Sequence, residues 1–449
     1  MKRAISRSWP LLMGVALACE GELHRPAPPA PTQLVTTNLW SGGEAIITSH
    51  GFDPPADLPV VYLDSAELAV RRVDDTTAAA RLPHRTGAYT LSATASGADT
   101  LVAAVQLYGY VETVEGPYLS GFVVPHPGGG PRVVGAGDTG AVVVDVRTNS
   151  VVLQLSDTAH SSDCSWGVGP SYRAGHVLLF GKRAGQCWLP RSWRFDSGPV
   201  ARDSLVGPTP NLYTWVLAEL GPGTSIGSTD ENLYVYACPA ACGGYAWKSW
   251  SGVVGATVAP GGSRTVLHHW RGSYGPGVLD ENGDSVYKMP GLWGVSDAVF
   301  GSSGDTLFAA GSGPPDYQDR LIAVNRETGA GLNSVVLQEV VDSPRTYVSF
   351  DTDALALDPV RHWLYVFGQF RVDAQPSAQW LRILAIFESS TLQPIAVLRG
   401  PPNPYPSFET GQARIVPDPD VGLVHVVWTE QGYYLHGVRS RIFRFALVP

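Results

Sequence analysis

The chain of 449 residues carries 50 Gly and 36 Pro, together about a fifth of all positions, which excludes long uninterrupted helices. Apolar residues make up 44% and charged residues only 16%, so a disordered acidic chain is excluded and there is ample material for packed cores. With 31 Lys and Arg against 40 Asp and Glu, a formal charge of −9 and no basic run, nucleic acid is not expected as a partner.

The N-terminus reads as a signal peptide over residues 1–18. Lys2, Arg3 and Arg7 precede an apolar stretch from Trp9 to Leu17, too short for a stable membrane helix, and small residues stand just before Cys19. The run Val15-Ala16-Leu17-Ala18-Cys19 resembles a bacterial lipobox, in which the Cys at the cleavage site is lipidated and becomes the mature N-terminus. Ala16-Leu17-Ala18 also satisfies the rule for ordinary secretion, and both routes cut the same bond. The resemblance implies an exported lipoprotein of the cell envelope, at the outer membrane or surface, joined to its membrane through Cys19. Residues 19–32 then comprise the lipidated Cys and a stiff tether containing Pro26, Pro28, Pro29 and Pro31.

Export puts the other four cysteines in an oxidising compartment, where disulfides persist. Proximity in sequence pairs Cys164 with Cys187 and Cys238 with Cys242. A zinc site on Cys238 and Cys242 is the rival reading, but no His lies nearby and there is no second close Cys pair, so no metal is expected.

Residues 33–113 alternate short strands with turn signals. The run from Ser41-Gly42-Gly43 through Ile46-Ile47 to Gly51-Phe52, then Val60 to Leu63, then Val73 to Pro83, resembles the IPT/TIG family of immunoglobulin-like domains. The resemblance implies a β-sandwich that acts as a spacer. Within it, Ser65 to Val73 fits either a helical turn capped by Ser65 or strands, and Val70 and Val73 before the Asp-Thr turn suit strands.

Residues 114–449 contain a repeat. The hexapeptide Asn149-Ser150-Val151-Val152-Leu153-Gln154 recurs unchanged as Asn333 to Gln338, 184 residues later, or four units of 46. Each copy follows a β-rich strand and a polar turn. A second recurring element, a small-residue strand, a turn and a strongly apolar strand, starts near residues 119, 165, 212, 254, 296, 353 and 412, a period of about 49 residues that suits four-stranded propeller blades. The expected fold is therefore all-β: an N-terminal Ig-like β-sandwich followed by a seven-bladed β-propeller, whose ring hides the sheet edges. A strand from Leu107 to Thr113 could complete the last blade. Asn282-Gly283 between Val278-Leu279 and Val286-Tyr287 signals a hairpin in the fourth blade.

Familiar catalytic signatures are missing. Gly135 to Gly140 fits G-x-G-x-x-G, but the β-branched run that follows cannot open the helix that dinucleotide binding needs. Asn325-Arg326-Glu327-Thr328-Gly329 resembles half of the docking motif of quinoprotein propellers but has Asn333 where Trp should stand, so a turn suffices and no cofactor is expected. His268 and His269 alternate across a strand and cannot chelate one metal together.

Asp297, Asp353 and Gln412 hold equivalent places at the starts of inner strands, at the rim of the channel. In propellers resembling this one that place lies on the face used for ligands, where the carboxylates Asp297 and Asp353 of neighbouring blades could bind a cation or act as an acid/base pair. Eight of the 13 Trp fall between residues 160 and 294, with Trp188, Trp193, Trp247 and Trp250 close to the paired cysteines. Their flat faces could stack on a sugar or a partner, or pack between sheets. The sequence favours a monomeric, non-enzymatic binding module that recognises a glycan, peptide or protein. The alternative is an exported propeller enzyme of the glycan hydrolase or lyase type with its site at the channel mouth.

Overall fold

The structure is a computed structural model. It describes residues 32–35, 38–48, 58–94, 100–116, 120–124, 131–137, 140–155, 166–173, 176–181, 191–194, 201–205, 215–221, 224–228, 233–237, 253–269, 277–302, 304–314, 318–341, 350–371, 380–402, 411–430 and 439–448. Within these residues the chain is all-β, apart from the short helix Leu337–Val341 and the 3-10 turn Pro419–Val421. No described helix is long and apolar enough to cross a membrane.

The N-terminal part is two sheets face to face. One carries Gln33–Leu34, Glu44–Thr48, Thr77–Arg81 and Val70–Arg72, and the other Val60–Leu63, Gly87–Thr94 and the long strand Leu101–Gly116. Strict alternation along Glu44–Thr48 and Val60–Leu63 turns Ala45, Ile47, Val61 and Leu63 inward, where they meet Leu91, Ala93 and Leu107. The segment after Ser65 forms the strands Ala66–Glu67 and Val70–Arg72, not a helical turn. Gly42 takes φ +76°, which favours Gly, and its N–H donates to the Pro83 carbonyl at 3.0 Å.

Seven antiparallel sheets follow. Sheet I begins with Ser120–Val124, II with Trp166–Pro170, III with Trp215–Gly221, IV with Val253–Val258, V with Asp297–Phe300, VI with Phe350–Asp358 and VII with Gly411–Asp418. In each, strands consecutive in the chain pair in order, apart from the fourth strand of sheet VII. Three strands of sheet III are described and four of each other sheet. The first strand of every sheet lies beside the first strand of the next, and that of VII lies beside that of I. The order of sheets thus returns on itself, a propeller-like arrangement.

Sheet VII takes its fourth strand from the other end of the chain. Leu101–Gly116 pairs along Leu101 to Leu107 with Gly87–Thr94 of the N-terminal sheets, and along Gly109 to Gly116 with Arg439–Ala446. Gly109 marks the handover at φ +153°, with the Ser41 hydroxyl where a side chain would stand.

Cores lie between neighbouring sheets. Phe308, Leu321, Leu355, Leu364 and Phe387 fill the space between V and VI, and Tyr365, Phe367, Trp428, Phe443 and Phe445 that between VI and VII. Arg382, 1% exposed, lies within this second core with its guanidinium 4.9 Å from the Phe443 ring centre. Val133, Val144, Val416, Val427 and Ile442 join sheet VII to sheet I.

The two copies of the hexapeptide occupy the outermost strands of sheets I and V, but not identically. Ser150 opens the strand Ser150–Leu155 after a turn at Asn149 with φ +54°, whereas Asn333 lies inside Gly331–Val336 and Leu337-Gln338 begin the short helix. Asn325 explains its own string: its Oδ1 accepts the N–H groups of Glu327 and Thr328, which closes a turn ending at Gly329, φ +71°. Gly137 pairs with Gly140, so the G-x-G-x-x-G stretch is a strand-to-strand hairpin.

Polar groups pin the seam between sheets VII and I. Arg147 donates from Nε to Asp418 Oδ2 at 2.5 Å, from Nη2 to Asp418 Oδ1, and from Nη2 to Asp420 at 3.1 Å. Arg444 donates to Glu112 at 2.6 Å and to the Arg147 carbonyl at 2.7 Å, and Asn149 Nδ2 donates to the Glu115 carbonyl at 2.8 Å. His425 is fully buried behind Asp418, with Nε2 3.5 Å from Oδ2. Burial pushes its imidazolium down to about 4, against the opposing pull of Asp418.

Two outcomes are expected from this seam. Arg147→Ala strands the buried Asp418 carboxylate, and because Arg147 is itself part-exposed the loss is about 2–3 kcal/mol, less than for a fully buried pair. Urea titration should register the shift in midpoint, and an unchanged midpoint would contradict it. His425 stays neutral when folded down to about 4, while in the unfolded chain it takes up a proton near its ordinary 6.5. Stability contributed by the neutral ring should therefore be lost as pH falls from 6.5 towards 4, and the loss should be smaller in His425→Leu. Identical pH profiles of the two proteins would refute this origin.

Candidate functional site

The inner strands of sheets IV, V and VI meet at Asp297, the first residue of Asp297–Phe300. The residue is 6% exposed, and each side-chain oxygen accepts a backbone N–H: Oδ1 from Ala298 at 2.9 Å and Oδ2 from Leu355 at 2.8 Å. The inner strand of sheet VI carries a bulge just before the residue that makes the second bond. Thr352 pairs with Gly368 and Ala354 with Phe367, so Asp353 is the residue without an opposite number. Burial raises the Asp297 pKa, while Arg414 on the first strand of sheet VII and the two N–H groups favour the charged form.

Thr257 and His268 of sheet IV complete the cluster. The Thr257 hydroxyl donates to the Ala298 carbonyl at 3.1 Å, and its oxygen lies 2.9 Å from His268 Nε2. A carbonyl can only accept, so the hydroxyl hydrogen is committed there and His268 Nε2–H is the donor to Thr257. The same Nε2 lies 3.6 Å from Asp297 Oδ1. A hydroxyl–imidazole–carboxylate relay needs its two partners on opposite ring nitrogens. Here both approach one nitrogen, and the group ties three inner strands together.

A second buried acid plays the same part at sheets II and III. Glu219, 1% exposed, accepts the Ser171 hydroxyl at 2.5 Å and faces the Arg173 guanidinium at 3.4 Å. Its backbone carbonyl accepts the Tyr172 N–H at 3.0 Å. Burial is the main cause that raises its pKa, with Ser171 and Arg173 opposing.

The other sequence-derived residues are distributed as follows. Asp353 is half-buried at the bulge, two residues before the N–H that Asp297 holds. Gln412 lies in Gly411–Asp418 opposite Thr429, and Trp193 in Arg191–Arg194 opposite Val177. Trp188, Trp247, Trp250, Cys19, Cys164, Cys187, Cys238 and Cys242 lie outside the described residues. Among the described residues no group of three or more His, Cys, Asp or Glu is placed to hold a metal ion. Thr257, His268, Glu219 and Arg414 were not singled out as a site by sequence; Glu219 left a signal, as a lone acid within the apolar strand Trp215–Gly221.

No protein family matches the sequence, and no curated protein is similar to it. Solved structures resemble it only distantly. Hydrazine synthase of Kuenenia stuttgartiensis is 10% identical at a TM-score of 0.33, over 70% of this chain and 78% of that one. A protein described as a 6-phosphogluconolactonase from Bacteroides fragilis is 13% identical at 0.33, over 73% and 92%. One described as a phosphatase from Bacteroides thetaiotaomicron is 11% identical at 0.39, over 76% and 94%. At such scores these likenesses carry no argument about activity, and the propeller-like fold rests on the strand pairing itself.

Proposed function

We propose that this is an exported lipoprotein whose body is a binding module without catalysis. Cys19 carries the lipid and residues 19–32 form the tether. An Ig-like sandwich over 33–113 is the spacer, and a seven-bladed propeller over 114–449 recognises a glycan, peptide or protein at the cell envelope. The observation that supports this most is the commitment of Asp297: one oxygen accepts the N–H of Ala298 in its own strand and the other the N–H of Leu355 in the neighbouring inner strand. A hydrolase or lyase that used Asp297 and Asp353 as an acid/base pair would need a carboxylate free to exchange a proton with substrate. Asp297 serves instead as a structural tie, and recognition falls to the surfaces that the ring presents.

Two experiments test the two halves of this reading. Metabolic labelling with a palmitate analogue should mark the wild type and not Cys19→Ala; equal labelling would remove the anchor. The soluble body should release no product from chromogenic glycosides, and Asp297→Asn should lower thermal stability by leaving an amide N–H facing a backbone N–H, at about 1–3 kcal/mol. A turnover that Asp297→Asn abolishes while the melting temperature is unchanged would establish the enzyme instead.

A further inference from the structure

The outer strands of sheet V and the connection from sheet IV line an open hollow of about 440 Å³, within the ~300–1,000 Å³ of ligand pockets. One wall is a face of sheet V with Arg320, Ile322 and Ser334, and Gly291 lies in the lining contributed by the connection from sheet IV. Arg320 is part-buried. Its Nε is shielded from solvent with no hydrogen-bond partner, and among the described residues no carboxylate pairs with its guanidinium. The neighbouring Asp319 accepts the Thr352 N–H at 2.7 Å instead. A shielded cation donor without an anion is costly and calls for a partner.

The rest of the hollow defines that partner. The strand Gly331–Val336 carries a bulge, with Asn333 opposite Ala323 and Gly331 opposite Val324, so Leu332 is out of register and 59% exposed at the rim. A side chain added at Gly331 or Gly291 would meet nothing within 4 Å, so the space before both is open. Exposed Leu332 and Pro290 therefore stand beside an unpaired guanidinium, and among the described residues the lining holds no aromatic face on which a sugar ring could stack.

We propose that this cleft binds the C-terminus of a peptide ending in an apolar residue, with the carboxylate on Arg320 and the last side chain against Leu332 and Pro290. The inference deepens the binding-module reading by naming a ligand class, and it can fail by itself: its loss leaves the palmitate label and the turnover assay untouched.

Fluorescence anisotropy of the full soluble body with a labelled hexapeptide ending in Val-Leu tests it. The free-acid peptide should bind about tenfold or more tightly than its C-terminal amide, and Arg320→Gln should remove that difference. Gly331→Trp, whose side chain starts in open space, should abolish binding, and it tests the same cleft if Arg320→Gln fails to fold. Equal binding of acid and amide, no binding, or full retention of affinity in either folded variant would overturn the proposal. Displacement of the peptide by glucuronate at the same concentration would also overturn it, in favour of an acidic sugar.

Discussion

The pairing of Gly109 to Gly116 with Arg439–Ala446 is the contact on which the rest of the molecule depends. Six sheets are each built from neighbouring chain, and any of them could form locally. The seventh cannot, because its fourth strand lies some 330 residues upstream, as the Arg444–Glu112 pair at a separation of 332 residues shows. Until that strand docks, the strand Arg439–Ala446 has an open edge and the valine core between sheets VII and I lacks its frame. Closure over so long a span is entropically costly. Paired Arg147, Arg444 and Asn149 hold it once it is made.

The same strand makes the two halves of the chain one mechanical unit. Leu101–Gly116 is an interior strand of the N-terminal sheets and the outer strand of sheet VII, with only Gly109 between the two roles. Trp40 adds a packing contact, with its ring 6.2 Å from Trp363 of sheet VI and 6.3 Å from Tyr108.

Around the channel, the polar side chains that looked available for chemistry hold strands together. An inner strand is the edge of its sheet, so some of its backbone N–H groups have no ladder partner; Asp297 supplies one of them, that of Leu355, with an acceptor from the preceding sheet. The all-β architecture and the position of the inner strands were legible, because alternation and turn residues recur at a steady period. Whether an acid at the head of an inner strand faces solvent or a neighbouring backbone depends on how the next sheet is placed against it, which no local pattern encodes. The hexapeptide makes the same point. Identical residues give turn and strand in one copy and strand into helix in the other, where Leu337 is buried in the core between sheets V and VI. Arg320 was likewise invisible: its significance lies in the partner it lacks, and only tertiary placement reveals that.

Closure is tested most directly by amide hydrogen exchange read separately for peptides spanning 101–107, 109–116 and 439–446. If the shared strand closes the ring, 109–116 and 439–446 exchange together, with protection that matches each other and that of 101–107. Rapid exchange across 109–116 while 101–107 stays protected would mean that the strand ends with the N-terminal sheets and the ring is held by other contacts.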